Sequence, residues 1–209
     1  MTVHSVYEVF SRHFRLKRMT QFVELFKVTS QTRILDVGGH IGIWAHLSFS
    51  PKLTLLNLSP ARTGTVNIRC VVGDARTAPF ESDAFDVVFS NSVIEHLRTW
   101  EHQRSFAREI ARLGCGYYVQ TPNRWFPVEP HLLTPFIHFL PKICAIHLLR
   151  NCTLWGLIAR PSRQQCQDFL DEVRLLSERE MEVLFPDATI LQERFLGMKK
   201  SLIAVRLRK

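Results

Sequence analysis

The chain has 209 residues, 46% of them hydrophobic and 22% charged, and a formal net charge of +8. That suits one domain with a real core and excludes a low-complexity or fibrous chain. The five cysteines (Cys70, Cys115, Cys144, Cys152, Cys166) are odd in number and form no Cys-x-x-Cys pair, so neither a zinc knuckle nor a disulfide framework is indicated, and a reducing cytoplasm is the simplest setting.

The chain opens on a helical pattern. Val6, Phe10, Phe14, Phe22, Leu25 and Phe26 recur at helical spacing, behind a capping-box pair, Ser5 and Glu8. Arg12, Arg15, Lys17 and Arg18 lie largely between them and break any apolar signal core, so residues 1–30 read as an N-terminal helical extension. Short apolar runs then predict buried parallel strands at Arg33–Val37, Leu53–Leu58, Ile68–Val72, Phe85–Ser90 and Gly116–Gln120. Helices are predicted over Ile43–Phe49, Val93–Arg112 and Glu178–Phe185, with capping boxes at Ser92/Glu95 and Ser177/Glu180. The gap from Leu58 to Ile68 is too short for a full crossover helix. Residues 123–165 break the rhythm with five prolines and an apolar stretch, and read as an inserted substrate or cap segment. Pro135, Pro141, Lys142 and Arg150 interrupt that stretch, so it is no membrane span. Ala188–Phe195 and Ser201–Leu207 read as a terminal antiparallel pair across Gly197. The whole is one α/β domain over 1–209 with a doubly wound sheet.

In such a sheet, ligands bind beyond the strand carboxyl ends. The first strand ends in Asp36-Val37-Gly38-Gly39-His40-Ile41-Gly42, the second in Asn57-Leu58-Ser59 and the third in Gly73-Asp74-Ala75. The fourth ends in Ser90-Asn91-Ser92 and runs into Glu95-His96, and the fifth ends in Thr121-Pro122-Asn123-Arg124-Trp125. The glycine spacing is not the Gly-x-Gly-x-x-Gly of dinucleotide dehydrogenases. Neither a nucleophile elbow nor a phosphate-binding Gly-Lys-Ser/Thr loop occurs, and His131, His138 and His147 lack metal-ligand spacing.

Taken in order, Ile34–Gly42, Val72–Ala75 with Pro79-Phe80, and Phe85–Leu97 resemble the class I S-adenosylmethionine-dependent methyltransferases, in particular the small bacterial methyltransferase-domain group. The resemblance covers about residues 30–122 and, more weakly, the last stretch of the chain. It implies a Rossmann-like sheet, S-adenosyl-L-methionine as cofactor and methyl transfer as the activity. It implies a cofactor site of Asp36, Gly38, Gly39, His40, Gly42, Asn57, Leu58, Asp74, Ala75 and Asn91. Within it, Asp74 would accept from the adenine amino group, Ala75 would donate through its backbone, and Asn91 would sit near the transferring methyl. The chain departs from the pattern twice. His40 stands where the family has its middle glycine, and Asn57 where the family has a ribose-binding acid. Both departures favour weaker cofactor binding, and they motivate the alternative of a non-catalytic binding or scaffold protein on the same fold.

Methyl transfer needs the acceptor positioned and, for a carbon or oxygen nucleophile, its proton removed. His96 and His131 are the candidate bases; Glu95 is first a capping partner. Asn123, Arg124 and Trp125 are candidate substrate contacts, and no metal is expected. The insertion combines aromatics (Trp125, Phe126, Phe136, Phe139, Trp155) with Arg124, Lys142, Arg150 and Arg160. Beside the positive net charge, this points to a small-molecule, saccharide-type or lipid-linked amphipathic acceptor, handled in the cytoplasm or at an anionic membrane face. Nucleic acid is disfavoured, because no Lys/Arg run with interleaved aromatics occurs. Nor is there an Asn-Pro-Pro-aromatic signature.

Overall fold

The computed structural model describes residues 3–60, 68–129, 134–153 and 160–208. Five parallel strands come first: β1 (Arg33–Val37), β2 (Lys52–Asn57), β3 (Ile68–Val72), β4 (Phe85–Asn91) and β5 (Gly114–Pro122). A small separate hairpin follows, β6 (Val128–Glu129) with β7 (Thr134–Pro135). The terminal pair β8 (Thr189–Phe195) and β9 (Met198–Arg206) completes a seven-stranded sheet of order β3-β2-β1-β4-β5-β9-β8, in which β9 pairs antiparallel with both neighbours. The order reverses between β1 and β4, which opens a crevice beyond their carboxyl ends. Leu196 and Gly197, at φ +48° and +80°, make the tight turn between the last two strands.

The α-helices of the described residues are α1 (Val3–Phe26), α2 (Trp100–Leu113), α3 (Lys142–Cys152), α4 (Arg163–Glu172) and α5 (Glu178–Leu184). The central strands are apolar on both faces because both are covered. Met19 and Phe22 of α1 pack on Ile34, Leu53, Leu55, Val87, Phe89 and Tyr118. Phe106, Ile110 and Leu113 of α2, with Met181 and Leu184 of α5, cover Leu35, Val37, Val88 and Tyr117 on the other face. Between β7 and α5, α3 and α4 share a small cluster of Ala145, Ile146, Leu149 and Cys166 with Ile137.

Three local expectations are corrected. Ser5 lies inside α1, which already runs from Val3, so it is not the cap. The helix expected over Ile43–Phe49 is a 3-10 turn, Ile41–His46. Its Trp44 is buried among the α1 contacts, so α1 fills the face that a longer helix would cover. The helix expected over Val93–Arg112 is split into a 3-10 turn, Ile94–Leu97, and α2. Ser92 and Arg98 take left-handed φ values of +58° and +55°, and Thr99 caps α2 by accepting from the His102 N–H. The Ser177/Glu180 capping box forms. The abbreviated crossover after Leu58 falls largely on 61–67, outside the described residues. Cys70, Cys115, Cys144 and Cys166 are free thiols.

Candidate functional site

The turn after β1 is built around a buried carboxylate. Asp36 is fully buried, and its Oδ2 accepts from the Trp44 indole N–H at 2.7 Å. Its Oδ1 is buried with no hydrogen-bond partner. Burial pushes the Asp36 pKa up to about 7, and the Trp44 bond only partly offsets this. Gly38 turns the chain at φ +70° with Val93 packed directly over it. A Cβ on Gly39 would fall inside the Asp36 carboxylate, so only glycine lets the acid fold against the loop. His40 turns back on its own loop: Nδ1 accepts from the Gly42 N–H at 3.1 Å and caps the 3-10 turn.

At the end of β2, the Asn57 amide donates to the Gly39 carbonyl at 3.1 Å, tying two strand-end loops together. Leu58 beyond it is 78% exposed. At the end of β3, Asp74 is held by Arg76. The Arg76 Nε lies 2.9 Å from Oδ2 and its backbone N–H 2.8 Å from Oδ1. This pairing holds the carboxyl below its ordinary range. Ala75 is half-buried beside it.

At the end of β4, Asn91 shares the α1 face of the sheet with Val87 and Phe89, by strand alternation. Its Oδ1 is buried and has no hydrogen-bond partner. Glu95, on the 94–97 turn, is fully buried and accepts from the Thr121 hydroxyl at 3.0 Å. The buried Gln103 amide pins the same turn through the Ile94 and Arg174 carbonyls. The Ser92/Glu95 capping box therefore does not form: Ser92 donates to the Gln120 side chain at 2.9 Å, and Thr121 engages Glu95. His96 is half-buried on this turn, and its backbone N–H donates to the Val93 carbonyl.

The three candidate substrate contacts part company. Asn123 is buried and engages main chain only, donating to the Lys199 carbonyl at 2.8 Å and accepting from the Trp125 N–H at 3.2 Å. Arg124 and Trp125 face solvent, the guanidinium 5.8 Å from the indole centroid. Trp125 stacks on Phe139 at 6.0 Å, and Phe136, Leu140 and Ile143 are exposed on the same inserted segment. His131 and Trp155 lie outside the described residues. Among the described residues no metal-ligand cluster occurs, and no helix is long and apolar enough to cross a membrane.

Sequence reasoning missed Trp44 as the partner of Asp36, Val93 as the cover of Gly38, and Arg76 as the partner of Asp74. Only the last had a local signal: an acid followed two residues later by arginine, in an Asx-type turn.

Residues 35–115 match the family model of a methyltransferase domain. No curated protein matches significantly. Among solved structures, the chain is similar to the PH0226 protein of Pyrococcus horikoshii OT3, at 16% identity and a TM-score of 0.57 over 97% of this chain and 92% of that one. It is similar to the magnesium protoporphyrin IX methyltransferase of Synechocystis PCC 6803, crystallised with bound SAH, at 10% identity and TM-score 0.56 over 99% and 88%. A third is the N-methyltransferase NodS of Bradyrhizobium japonicum WM9, at 14% identity and TM-score 0.53 over 92% and 94%. At these identities the structural likeness carries the fold. The match over 35–115, which takes in the glycine turn after β1, makes this part of the chain similar to a methyltransferase domain, and the sheet order agrees with that likeness.

Proposed function

We propose that the chain binds S-adenosyl-L-methionine and methylates an amphipathic small-molecule, saccharide-type or lipid-linked acceptor. The observation that carries this reading is the pair of buried acceptors without donors, Asp36 Oδ1 and Asn91 Oδ1. They stand at the ends of the two strands that flank the sheet's switch point. A buried acceptor without a donor is costly, and a cationic ligand relieves it. The cofactor, when bound, supplies a methyl group activated on a sulfonium, together with an ammonium that suits these two oxygens.

The remaining groups fit the same ligand. Gly38, Gly39 and Gly42 keep Cβ atoms away from the turn. His40, folded onto Gly42, leaves the approach open. Asn57 and Leu58 would flank the ribose and adenine, with Asp74 and Ala75 at the adenine edge. Arg76 is a third exposed, so yielding Asp74 to a ligand costs little. His96, at the β4 end, is the proposed proton acceptor, with His131 the second candidate. The stacked Trp125 and Phe139, with Arg124 alongside, would guide an amphipathic acceptor.

One observation favours a second reading, a binding protein on the same fold. His40, Asn57 and Asp74 all spend side-chain bonds within the chain. Thermal unfolding with S-adenosylmethionine or S-adenosylhomocysteine separates the two. At about a hundred times the dissociation constant, ligand adds roughly 2.7 kcal/mol, or about 5–11 °C for a chain of this size. A rise with both ligands supports the enzyme, and no rise at millimolar ligand supports the binding protein.

The exposed ledge of Trp125, Phe136, Phe139, Leu140 and Ile143, beside Arg124, supports a seat on an anionic membrane. Co-flotation with phosphatidylserine vesicles is expected at low salt and is expected to weaken at high salt or in Trp125→Ala. Equal recovery with neutral vesicles would remove the membrane from the reading.

A further inference from the structure

On the methyltransferase reading above, we propose that Arg18 of α1 is the receptor for an anionic group, a carboxylate or phosphate, carried by the methyl acceptor. Arg18 is 6% exposed. Its Nε donates to the Phe14 carbonyl at 3.2 Å and lies 3.4 Å from Glu193 Oε2. Its Nη1 is buried without a hydrogen-bond partner. A guanidinium presents its donors in a rigid fork that matches carboxylate and phosphate geometry, so an idle buried Nη1 is a ready half of such a fork.

A second cation sits alongside. Glu193 pairs with Ser201 while Arg194 pairs with Lys199, which leaves Lys200 as the extra residue of a β-bulge. The bulge re-aims the Lys200 ammonium, which donates to Glu193 Oε1 at 2.8 Å and lies 3.9 Å from the Phe14 ring centroid. Arg15 and Glu95 also act on Arg18 electrostatically. Among the described residues, Arg15 and Lys200 thus lie around the buried guanidinium together with Glu95 and Glu193. Burial lowers the Arg18 pKa despite Glu193, so its surroundings do not make up for the water it has lost.

The position selects the acceptor rather than the cofactor. Glu193 lies on β8, four strands from β1 in the sheet order. At about 4.8 Å per strand that is roughly 19 Å from the glycine turn. Asn91 and Tyr118, the latter also in electrostatic range of Arg18, lie on the intervening strands and face α1. An acceptor under α1 would therefore have its anionic end at Arg18 and its reacting end toward Asn91.

The test uses benzoate, phenyl phosphate and neutral benzamide as probes. Their binding to the full chain is followed by NMR shift titration, with saturating S-adenosylhomocysteine and again without it. The two anions are expected to bind and benzamide not; whichever anion binds more tightly names carboxylate or phosphate. Arg18→Gln is expected to lose anion affinity tenfold or more while keeping S-adenosylhomocysteine affinity within about twofold. Glu193→Gln, which releases both cations, is expected to gain anion affinity several-fold, and it serves if Arg18→Gln does not fold. Benzamide binding as well as benzoate, or anion affinity unmoved in both variants, overturns the proposal. Loss of S-adenosylhomocysteine binding in Arg18→Gln also overturns it, by assigning the guanidinium to the cofactor carboxylate. If the wild type binds no S-adenosylhomocysteine, the cofactor reading fails, and the arm without nucleotide still decides Arg18.

Discussion

Phe22→Ala is expected to lower the unfolding free energy by about 3–5 kcal/mol, the usual cost of emptying a buried aromatic site. Phe22 is fully buried, and its ring lies 4.8 Å from Phe89, 5.2 Å from Phe26, 5.6 Å from Tyr118 and 6.0 Å from Trp44. Aromatic edge contacts of this kind add to the area they bury. The ring is the keystone between α1, the 41–46 turn and the sheet, so the cavity left would reach the functional site. Trp44 would lose a flank, and with it the firmness of its bond to Asp36. Urea unfolding checks the size of the effect. Truncation of Leu16, on the exposed side of the same helix, is the control and should fall within about 0.5 kcal/mol. A Phe22→Ala cost that small would mean that α1 is only loosely seated.

The second large effect is on pH dependence and rests on Asp36. Its pKa is raised from 3.8 to about 7 in the fold. A raised pKa means that the native state holds the proton more tightly than the unfolded chain. The resulting stability is complete below about pH 4 and is lost as pH rises through 7. At about 1.4 kcal/mol per pH unit the loss approaches roughly 4 kcal/mol. Asp36→Asn has no such proton to lose. The wild type should therefore lose stability relative to this variant between about pH 4 and 7 and change little relative to it above that, as read by thermal midpoints. Ligand binding runs the other way. An ammonium near Oδ1 favours the ionised acid, so S-adenosylhomocysteine affinity should fall below pH 7 by up to about tenfold per pH unit. In Asp36→Asn the profile should be flatter and the affinity lower. Parallel profiles in the two proteins would show that Asp36 neither titrates in this range nor meets the ligand.

The sequence by itself determined the α/β class, the doubly wound sheet and the glycine turn. Each rests on short-range patterns: apolar runs such as Ile34-Leu35 and Val87–Phe89, the Ser177/Glu180 cap, and the Gly38 turn before the 41–46 segment. Such signals survive folding when no distant group competes for them. Only the tertiary structure decided where the side chains at the strand ends spend their bonds. Ser92 and Glu95 have capping spacing, but Gln120 and Thr121 of β5 lie close enough to engage both. The helix predicted over Ile43–Phe49 gave way because α1, remote in sequence, already covers that face. Arg18 falls in sequence among the basic residues between the apolar positions of the first helix, yet it is buried against Glu193, which reaches it only because β8 closes the sheet's edge. A local pattern fixes backbone preference within a few residues. The burial of a charge, and the donor left idle beside it, depend on elements that meet only when the sheet is complete.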